Sequence, residues 1–489
     1  MTIKKLFIAN RAEIALRIVR TARRMGIATV VPWHVRDRHG PALLLADETV
    51  ELHGEPPVSA WLDGPALISA AIASGCDAIH PGYGFLSENA GFARAVAQAG
   101  LVFVGPPAEV IELMGDKITA RHFATRCGVP VTPSADEADA PETFAERARA
   151  IGFPLLVKGS AGGGGKGMQI VHEAGALAQA IATARAESQR YFGDGRLLAE
   201  RFVEQPRHIE VQVFGDTHGH VIHLGERECS IQRRFQKLIE ETPAPTLAPE
   251  LRQRICDAAV RLASEAGYVN AGTVECIVSP SGEFYFLEMN TRLQVEHPVT
   301  EMVTGLDLVE WQLRVAQGEP LPLKQDAVRW HGSAIECRIL AEDADAGFVP
   351  DTGKVLLLNE PQGPGVRFDC GVTPGATVSA DFDSMLAKLV VHGATRDLAI
   401  SRLRQALNET VMLGVTINAH FLGRVLAHPA FQAGATDTGF LERHKADLKP
   451  TAWTEDERRA LVAVAAAVGR ETHANALPEP YASMGAWRN

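Results

Sequence analysis

Between Lys4 and Met114 short apolar runs alternate with segments of helical period, and this alternation constrains the fold more than any other feature of the chain. The apolar runs are Leu6 to Ala9, Ala28 to Pro32, Asp77 to His80 and Leu101 to Gly105; helical patterns run through Glu13 to Met25, Ala66 to Ser74 and Phe92 to Gln98. Strands that each lead into a helix pair in parallel, so an α/β domain with a doubly wound parallel sheet is expected over residues 1–115. Its turns carry glycine and proline, as in HPGYGF from His80 to Phe85.

The chain of 489 residues has room for roughly three domains of about 150 residues each. A polar, acidic stretch, Pro133 to Pro141, reads as a connection into a second, mixed α/β unit with two strand hairpins and helices at Glu173 to Arg190 and Pro249 to Ala266. A third region begins with strand patterns (Ala334 to Ile339, Lys354 to Asn359, Ala387 to His392) and ends with helices (Leu398 to Thr410, Asn418 to Ala427). The expected domains are 116–330 and 331–445, followed by a helical tail over 446–489 whose helix runs from Glu455 to Val468.

A net charge of -11 opposes non-specific nucleic-acid binding, which needs a basic footprint, so any phosphate ligand must be met by local positive charge. There is no signal-like start and no uninterrupted run of about 18 apolar residues, so neither targeting nor a membrane span is expected. Seven scattered cysteines without a CxxC pair suggest neither a disulfide framework nor a zinc site, and a cytoplasmic setting is expected.

The run KGSAGGGGKGM, Lys158 to Met168, satisfies GxGxxG in form, but both flanks read as strands, where the dinucleotide fingerprint needs a helix after it. The P-loop pattern fails as well, because Gly167 follows Lys166. What remains is a hairpin loop whose free backbone N–H groups, with Lys158 and Lys166, suit phosphate oxygens; a mobile surface hairpin is the alternative.

From Ala271 to Arg292 two strands are joined by a turn at Ser281-Gly282. A two-residue turn sets Glu275 opposite Glu288, and the strand period puts Asn290 on the face of Glu288. Opposed carboxylates call for a cation between them, and three hard oxygens suit magnesium bound to phosphates. A register shift that turns one Glu to solvent is the competing reading. In RLQVEHPVTE, Arg292 could hold a planar oxyanion and Glu296 remove its proton; a surface Arg/Glu pair is the alternative, and His297 reads as structural.

Taken together, IANRAEIALRI, HPGYGFLSEN, MGDK, VKGSAGGGGKGM, PRHIEVQV, GERECSIQRRFQK, FLEMNTRLQVEHPVTEM, ECRILAED and DFDSMLAKL resemble the biotin carboxylase component of biotin-dependent carboxylases, in the ATP-grasp superfamily. The likeness runs from Leu6 to about Leu441. It implies an ATP-grasp domain at 116–330 with a glycine-loop lid over about 132–203, and a biotin carboxylase C-terminal domain at 331–445. It implies ATP held by Lys117, Lys158, Gly163, Gly164, Glu200, Phe202, Val203, His208 and Gln232, and Mg²⁺ or Mn²⁺ held by Glu275, Glu288 and Asn290. Lys237, Arg292, Gln294 and the Val295 N–H are implied to cradle bicarbonate, with Glu296 as general base and Arg338 stabilising the biotin enolate.

The implied reaction is carboxylation of biotin through carboxyphosphate, the first half-reaction of an acyl-CoA or related carboxylase. The chain has no AMKM-like biotinyl-lysine segment, so the biotin is expected on a separate carrier domain, with a carboxyltransferase partner and self-association into a homo-oligomer. The tail resembles the start of the connector in longer acyl-CoA carboxylase α subunits, which suggests a fragment or a docking subunit. The chain departs from the family pattern at Phe235, often His; at Arg201, often Lys; at Ala12, usually Gly; and over Trp33 to Glu48, which lacks an acidic SDAD-like run. An ATP-grasp ligase for another carboxylate, or a weakened nucleotide-binding scaffold, would also explain the glycine loop and the paired carboxylates.

Overall fold

The computed structural model describes residues 2–137, 140–160, 168–451 and 454–474 of the chain. It divides into two units, Met1–Leu448 and Lys449–Asn489.

In the first unit β1 (Lys5–Ile8), β2 (Ala28–Trp33), β3 (Glu48–Glu51), β4 (Ala78–His80) and β5 (Val102–Phe103) form a parallel sheet in the order β3-β2-β1-β4-β5. The helix Ala12–Arg24 buries Ile14, Ala15, Ile18, Val19 and Ala22, a stripe of helical period, in the adjoining core. The edge strand β3, sequence ETVE, has a single apolar residue and so shows no apolar run. Strand order reverses between β1 and β4, which opens a crevice at their carboxyl ends. Asn10 spans it, donating from Nδ2 to Pro81 O at 2.7 Å and Tyr83 O at 2.8 Å. Gly82 has φ 64°, and a Cβ there would lie 2.8 Å from Asn10 Nδ2, so this turn requires glycine.

A small antiparallel sheet follows, β6 (Ser134–Asp136), β7 (Leu155–Gly159), β8 (Gln169–Val171) and β9 (Leu197–Arg201), in the order β6-β9-β7-β8. The stretch Pro133 to Pro141, read as a connection, contains β6. Its Ala135 enters the core made by Leu155, Val157 and Ala199, which its polar neighbours conceal in the sequence. Strands flank the glycine run on both sides as expected, with Leu155 opposite Val171.

The main sheet holds β10 (Arg207–Gly215), β11 (Val221–Arg233), β12 (Gln236–Thr242), β13 (Asn270–Val278), β14 (Phe284–Asn290) and β15 (Ser333–Leu340), then the strands Met385–Gly393 and Val366–Cys370. Their order is β14-β13-β10-β11-β12-β15 and then those two, all antiparallel. The β12–β15 pairing carries one sheet across residue 330, where a domain boundary was expected.

In the second unit the helix Glu455–Ala474 extends beyond the predicted end at Val468. It starts with a capping box: Thr454 N donates to Glu457 Oε2 at 2.8 Å and Glu457 N to Thr454 Oγ1 at 3.3 Å. No described helix is long and apolar enough to cross a membrane.

Candidate active site

A cavity of about 680 Å³ opens between the small sheet and the main sheet, and a second, of about 370 Å³, lies beside the crevice of the first sheet. Arg292, Val295 and Arg338 line both.

At one end of the larger cavity Lys158, on β7, and Glu200, on β9, meet at 2.5 Å. Glu200 Oε2 also accepts from Arg121 Nη1 at 2.8 Å and Thr132 Oγ1 at 2.7 Å. Burial would raise the Glu200 pKa, but the charges of Lys158 and Arg121 outweigh it and hold it at about 2. Its carboxylate is thus occupied by the protein. Phe202 N donates to Pro154 O at 3.0 Å, so that N–H is committed as well, while Phe202 and Val203 line the cavity. Lys117 also lines it, with Nζ 3.8 Å from Glu288 Oε2. Gly163, Gly164 and Lys166 lie outside the described residues.

Glu275 and Glu288 are register partners, although the turn is not the one read from the sequence. Ser279 N donates to Glu283 O at 2.8 Å, enclosing three residues rather than two, which by itself would slip the register by one. A bulge at Leu287 restores it: Cys276 pairs with Phe286, but Glu275 pairs with Glu288. Glu275 Oε1 accepts from Asn290 Nδ2 at 2.7 Å, Gln294 Nε2 at 3.0 Å and Lys237 Nζ at 2.9 Å; Oε2 lies 2.9 Å from His208 Nε2. His208 is buried beside Gln232, whose Nε2 is 3.5 Å from His208 Nδ1. Burial opposes ionisation of Glu275, yet Lys237 and His208 hold its pKa well below the carboxylate range. Glu275, Glu288 and Asn290 all line the cavity and offer hard oxygens, a donor set that fits magnesium bound to a phosphate ligand.

Next to this hairpin Lys237 Nζ lies among three carboxylates, 2.5 Å from Glu210 Oε2, 2.9 Å from Glu275 Oε1 and 2.7 Å from Glu296 Oε1. Burial would lower its pKa; the three carboxylates raise it well above the usual value instead. Glu296 is fully buried, and its other oxygen accepts from Arg338 Nη2 at 3.0 Å. Lys237, Arg338 and Arg227 overcome the effect of burial and keep its pKa well below the ordinary range, so Glu296 is an ionised acceptor. No hydrogen bond or ion pair joins Arg292 to Glu296 among the described residues. Its Nε donates to Glu88 Oε2 at 2.9 Å, Nη1 to Gln294 Oε1 at 2.7 Å and Nη2 to Asn290 Oδ1 at 3.1 Å. The Val295 carbonyl accepts from the buried Lys388 Nζ at 2.8 Å. His297 is buried with Nδ1 2.8 Å from Gln294 O, and burial lowers its pKa strongly, which agrees with its reading as structural.

Glu88, Glu210, Arg227, Glu240 and Lys388 escaped the residue-by-residue reading. Arg227 is fully buried, pairs with Glu210 and donates to Gln212 Oε1 at 2.8 Å, Thr300 Oγ1 at 3.0 Å and Thr273 Oγ1 at 3.1 Å. For Glu210, Arg227, Glu240 and Lys388 the signal was charge at buried positions of largely apolar strands, as with Lys388 in MLAKLVVHG, whereas Glu88 sits in an exposed turn and left no such signal.

Three family models cover most of the chain: biotin carboxylase, N-terminal domain, over 2–111; carbamoyl-phosphate synthase L chain, ATP binding domain, over 116–324; and biotin carboxylase C-terminal domain over 336–443. The biotin carboxylase of Haemophilus influenzae is 46% identical over 443 residues, spanning 90% of this chain and 98% of that one. The mitochondrial methylcrotonoyl-CoA carboxylase subunit alpha of Oryza sativa is 46% identical over 480 residues, covering 96% of this chain, which spans only 65% of the length of that relative. Among solved structures, the biotin carboxylase domain dimer of Hydrogenobacter thermophilus 2-oxoglutarate carboxylase, in complex with MgADP, ADP and bicarbonate, superposes with a TM-score of 0.90 at 41% identity, over 92% of this chain and all of that one. With this fold, this coverage and this identity, the chain belongs to the biotin carboxylase family of ATP-dependent, ATP-grasp ligases.

Proposed function

We propose that the chain carboxylates biotin with bicarbonate at the expense of ATP, as the first half-reaction of an acyl-CoA carboxylase. The observation that carries this reading is Glu296, an ionised carboxylate held between Lys237 and Arg338 beside the cavity that Lys117, Lys158, Glu275 and Glu288 line.

In this reading the Arg292 fork, Lys237, the Gln294 amide and the Val295 N–H bind bicarbonate, and Glu88 and Asn290 fix the fork in advance. Bicarbonate between Lys237 and Arg292 competes with Glu296 for Lys237, which raises the proton affinity of Glu296 as the oxyanion attacks the γ-phosphoryl group. Lys117 and Lys158 offset charge on the phosphates, with Gly163 and Gly164 closing over them. Phe202, Val203 and Glu200 border the adenine, and His208 and Gln232 the ribose. Magnesium held by Glu275, Glu288 and Asn290 would neutralise charge on the phosphoryl oxygens. Carboxyphosphate forms and gives CO₂ and phosphate; phosphate takes the biotin N1 proton, Arg338 stabilises the ureido oxygenate, and N1 captures CO₂.

The reading places biotin on a separate carrier domain and the final acyl transfer on a carboxyltransferase subunit, with a homo-oligomeric carboxylase. It retains the divisions at 115/116, 330/331 and 445/446. Seven free thiols fit a reducing compartment; fractionation of the source cells assigns cytosol or mitochondrial matrix.

ATP hydrolysis with bicarbonate, measured with and without free biotin, tests the proposal. Stimulation by biotin that Glu296→Gln and Arg338→Ala abolish is expected; absent stimulation, or stimulation that survives both changes, overturns it.

A further inference from the structure

Beside Arg338 two buried carboxyls that the proposed reaction does not use face each other. Glu240 and Glu336 are register partners on β12 and β15, and both are fully buried. Arg338 Nε donates to Glu240 Oε1 at 2.6 Å. Glu240 Oε2 and both oxygens of Glu336 have no hydrogen-bond partner among the described residues. Opposed like charges repel across a sheet, and a buried carboxylate oxygen without a donor loses its hydration uncompensated.

The surrounding cations attract both carboxyls but do not supply the missing hydrogen bonds. Lys388, from the neighbouring strand, gives its hydrogen bond to Val295 O and lies 3.4 Å from Glu13 Oε2. Lys237 is taken by Glu210, Glu275 and Glu296, and Glu296 adds a further negative charge. The helix His297–Thr304, packed against β15, brings His297, kept neutral by burial, and Glu301, bound by Arg17 and Arg367. One proton between Glu240 and Glu336 removes a negative charge and creates the missing donor at once.

We propose that Glu240 and Glu336 share one proton and act together as positioning residues for Arg338, anchoring Nε while Nη2 exchanges between Glu296 and the ureido oxygen of biotin. This rests on the biotin carboxylase reading above. Burial is the largest influence on both carboxyls and raises the pKa of each, in keeping with a retained proton. When the proton leaves at higher pH, the second anion draws Arg338 back from the substrate.

Glu336→Gln keeps a donor toward Glu240 Oε2 but cannot ionise. In the wild type the KM for free biotin is expected to rise about tenfold as the pair deprotonates; in Glu336→Gln it stays within about twofold across the same pH range. Glu336→Leu removes the donor and is expected to raise that KM about tenfold at every pH, with the KM for ATP changed less than about twofold. An infrared difference spectrum of wild type against Glu336→Gln at neutral pH is expected to show the carbonyl stretch of a protonated carboxylic acid. A Glu336→Gln enzyme whose biotin KM follows the wild-type pH dependence overturns the inference, and so does the absence of that stretch. If the wild type shows no biotin-stimulated hydrolysis, the proposed function falls, and the infrared band alone then decides whether the proton is shared.

Discussion

The two ends of the cavity both bury carboxylates against cations, but in different proportion. Around Glu200 each charge has an opposite: Lys158 meets one oxygen, Arg121 and Thr132 the other. Around Arg338, Glu13, Glu240 and Glu336 share Arg338 and Lys388, and both oxygens of Glu13, both of Glu336 and one of Glu240 have no hydrogen-bond partner among the described residues. Burial is equal, so burial alone does not decide the charge state. The supply of partners does: Glu200 is pushed down to about 2, whereas burial raises Glu13 to about 6 against the pull of Lys388. One end is a fixed ion cluster. The other is short of positive charge, which favours the protonated form of its carboxyls.

Glu296 joins the two patterns, since Lys237 and Arg338 both hold it, and the largest effect is expected there. Glu296→Gln should lower bicarbonate-dependent, biotin-stimulated ATP hydrolysis by about 10³-fold, and a variant keeping a tenth of the rate would break its assignment as the base.

The contrast itself is tested by stability in urea. Glu200→Ala leaves Lys158 and Arg121 buried without their counter-ion and is expected to cost about 3–5 kcal/mol. Glu336→Leu removes a carboxyl that no cation pairs with among the described residues, along with its repulsion of Glu240, and is expected to change stability by less than about 1 kcal/mol. Equal losses would erase the distinction between the ends.

The pH dependence separates them by sign. Glu13, with its pKa raised from 4.5 to about 6, binds its proton more tightly folded than unfolded. Its contribution to stability is therefore complete below about 4.5 and lost as pH rises through about 6. Glu200, lowered to about 2, contributes fully above about 4.5 and loses its contribution as pH falls through about 2. The unfolding free energy of Glu13→Gln, measured in urea, should fall less steeply than that of the wild type between pH 5 and 7, by about 1–2 kcal/mol across that range. A parallel slope would mean that Glu13 does not hold its proton.

Two departures from the family pattern give smaller effects. Ala12, next to Glu13, has φ 55°, a conformation that glycine adopts without strain. Ala12→Gly is expected to stabilise the protein by about 1 kcal/mol in the same urea assay. Arg234 and Phe235, with φ 50° and 67°, are the two central residues of the turn that pairs Arg233 with Gln236, a geometry that suits Asn, Asp, Gly or His better than Phe. Phe235 is 48% exposed and lines the cavity. Phe235→His should lower the KM for ATP about twofold to fivefold, and an unchanged value would show that the aromatic face serves the nucleotide as well as an imidazole.

Much of the fold was legible because it is written in local period. The alternation over Lys4 to Met114 specified a parallel sheet, missing only polar β3, and strands were read correctly on both sides of the glycine run. The pairing of Glu275 with Glu288 was also legible, yet for an incomplete reason: two irregularities, a three-residue loop and the Leu287 bulge, cancel. Neither leaves a sequence signal that distinguishes it from a regular two-residue hairpin.

By itself the sequence determined the fold class, the family and the residue types assembled around the cavity, since periodicity assigns a residue to a face and ordered motifs assign a chain to a family. Only the tertiary structure decided the partners. Arg292 is held by Glu88 across 204 residues, Glu296 by Lys237 and Arg338 from two strands, and Glu13 lies against Lys388 from the far end of the unit. The physical reason is that charge state depends on how many opposite charges and hydrogen-bond donors converge in a low-dielectric interior, and that convergence is a property of packing between distant segments.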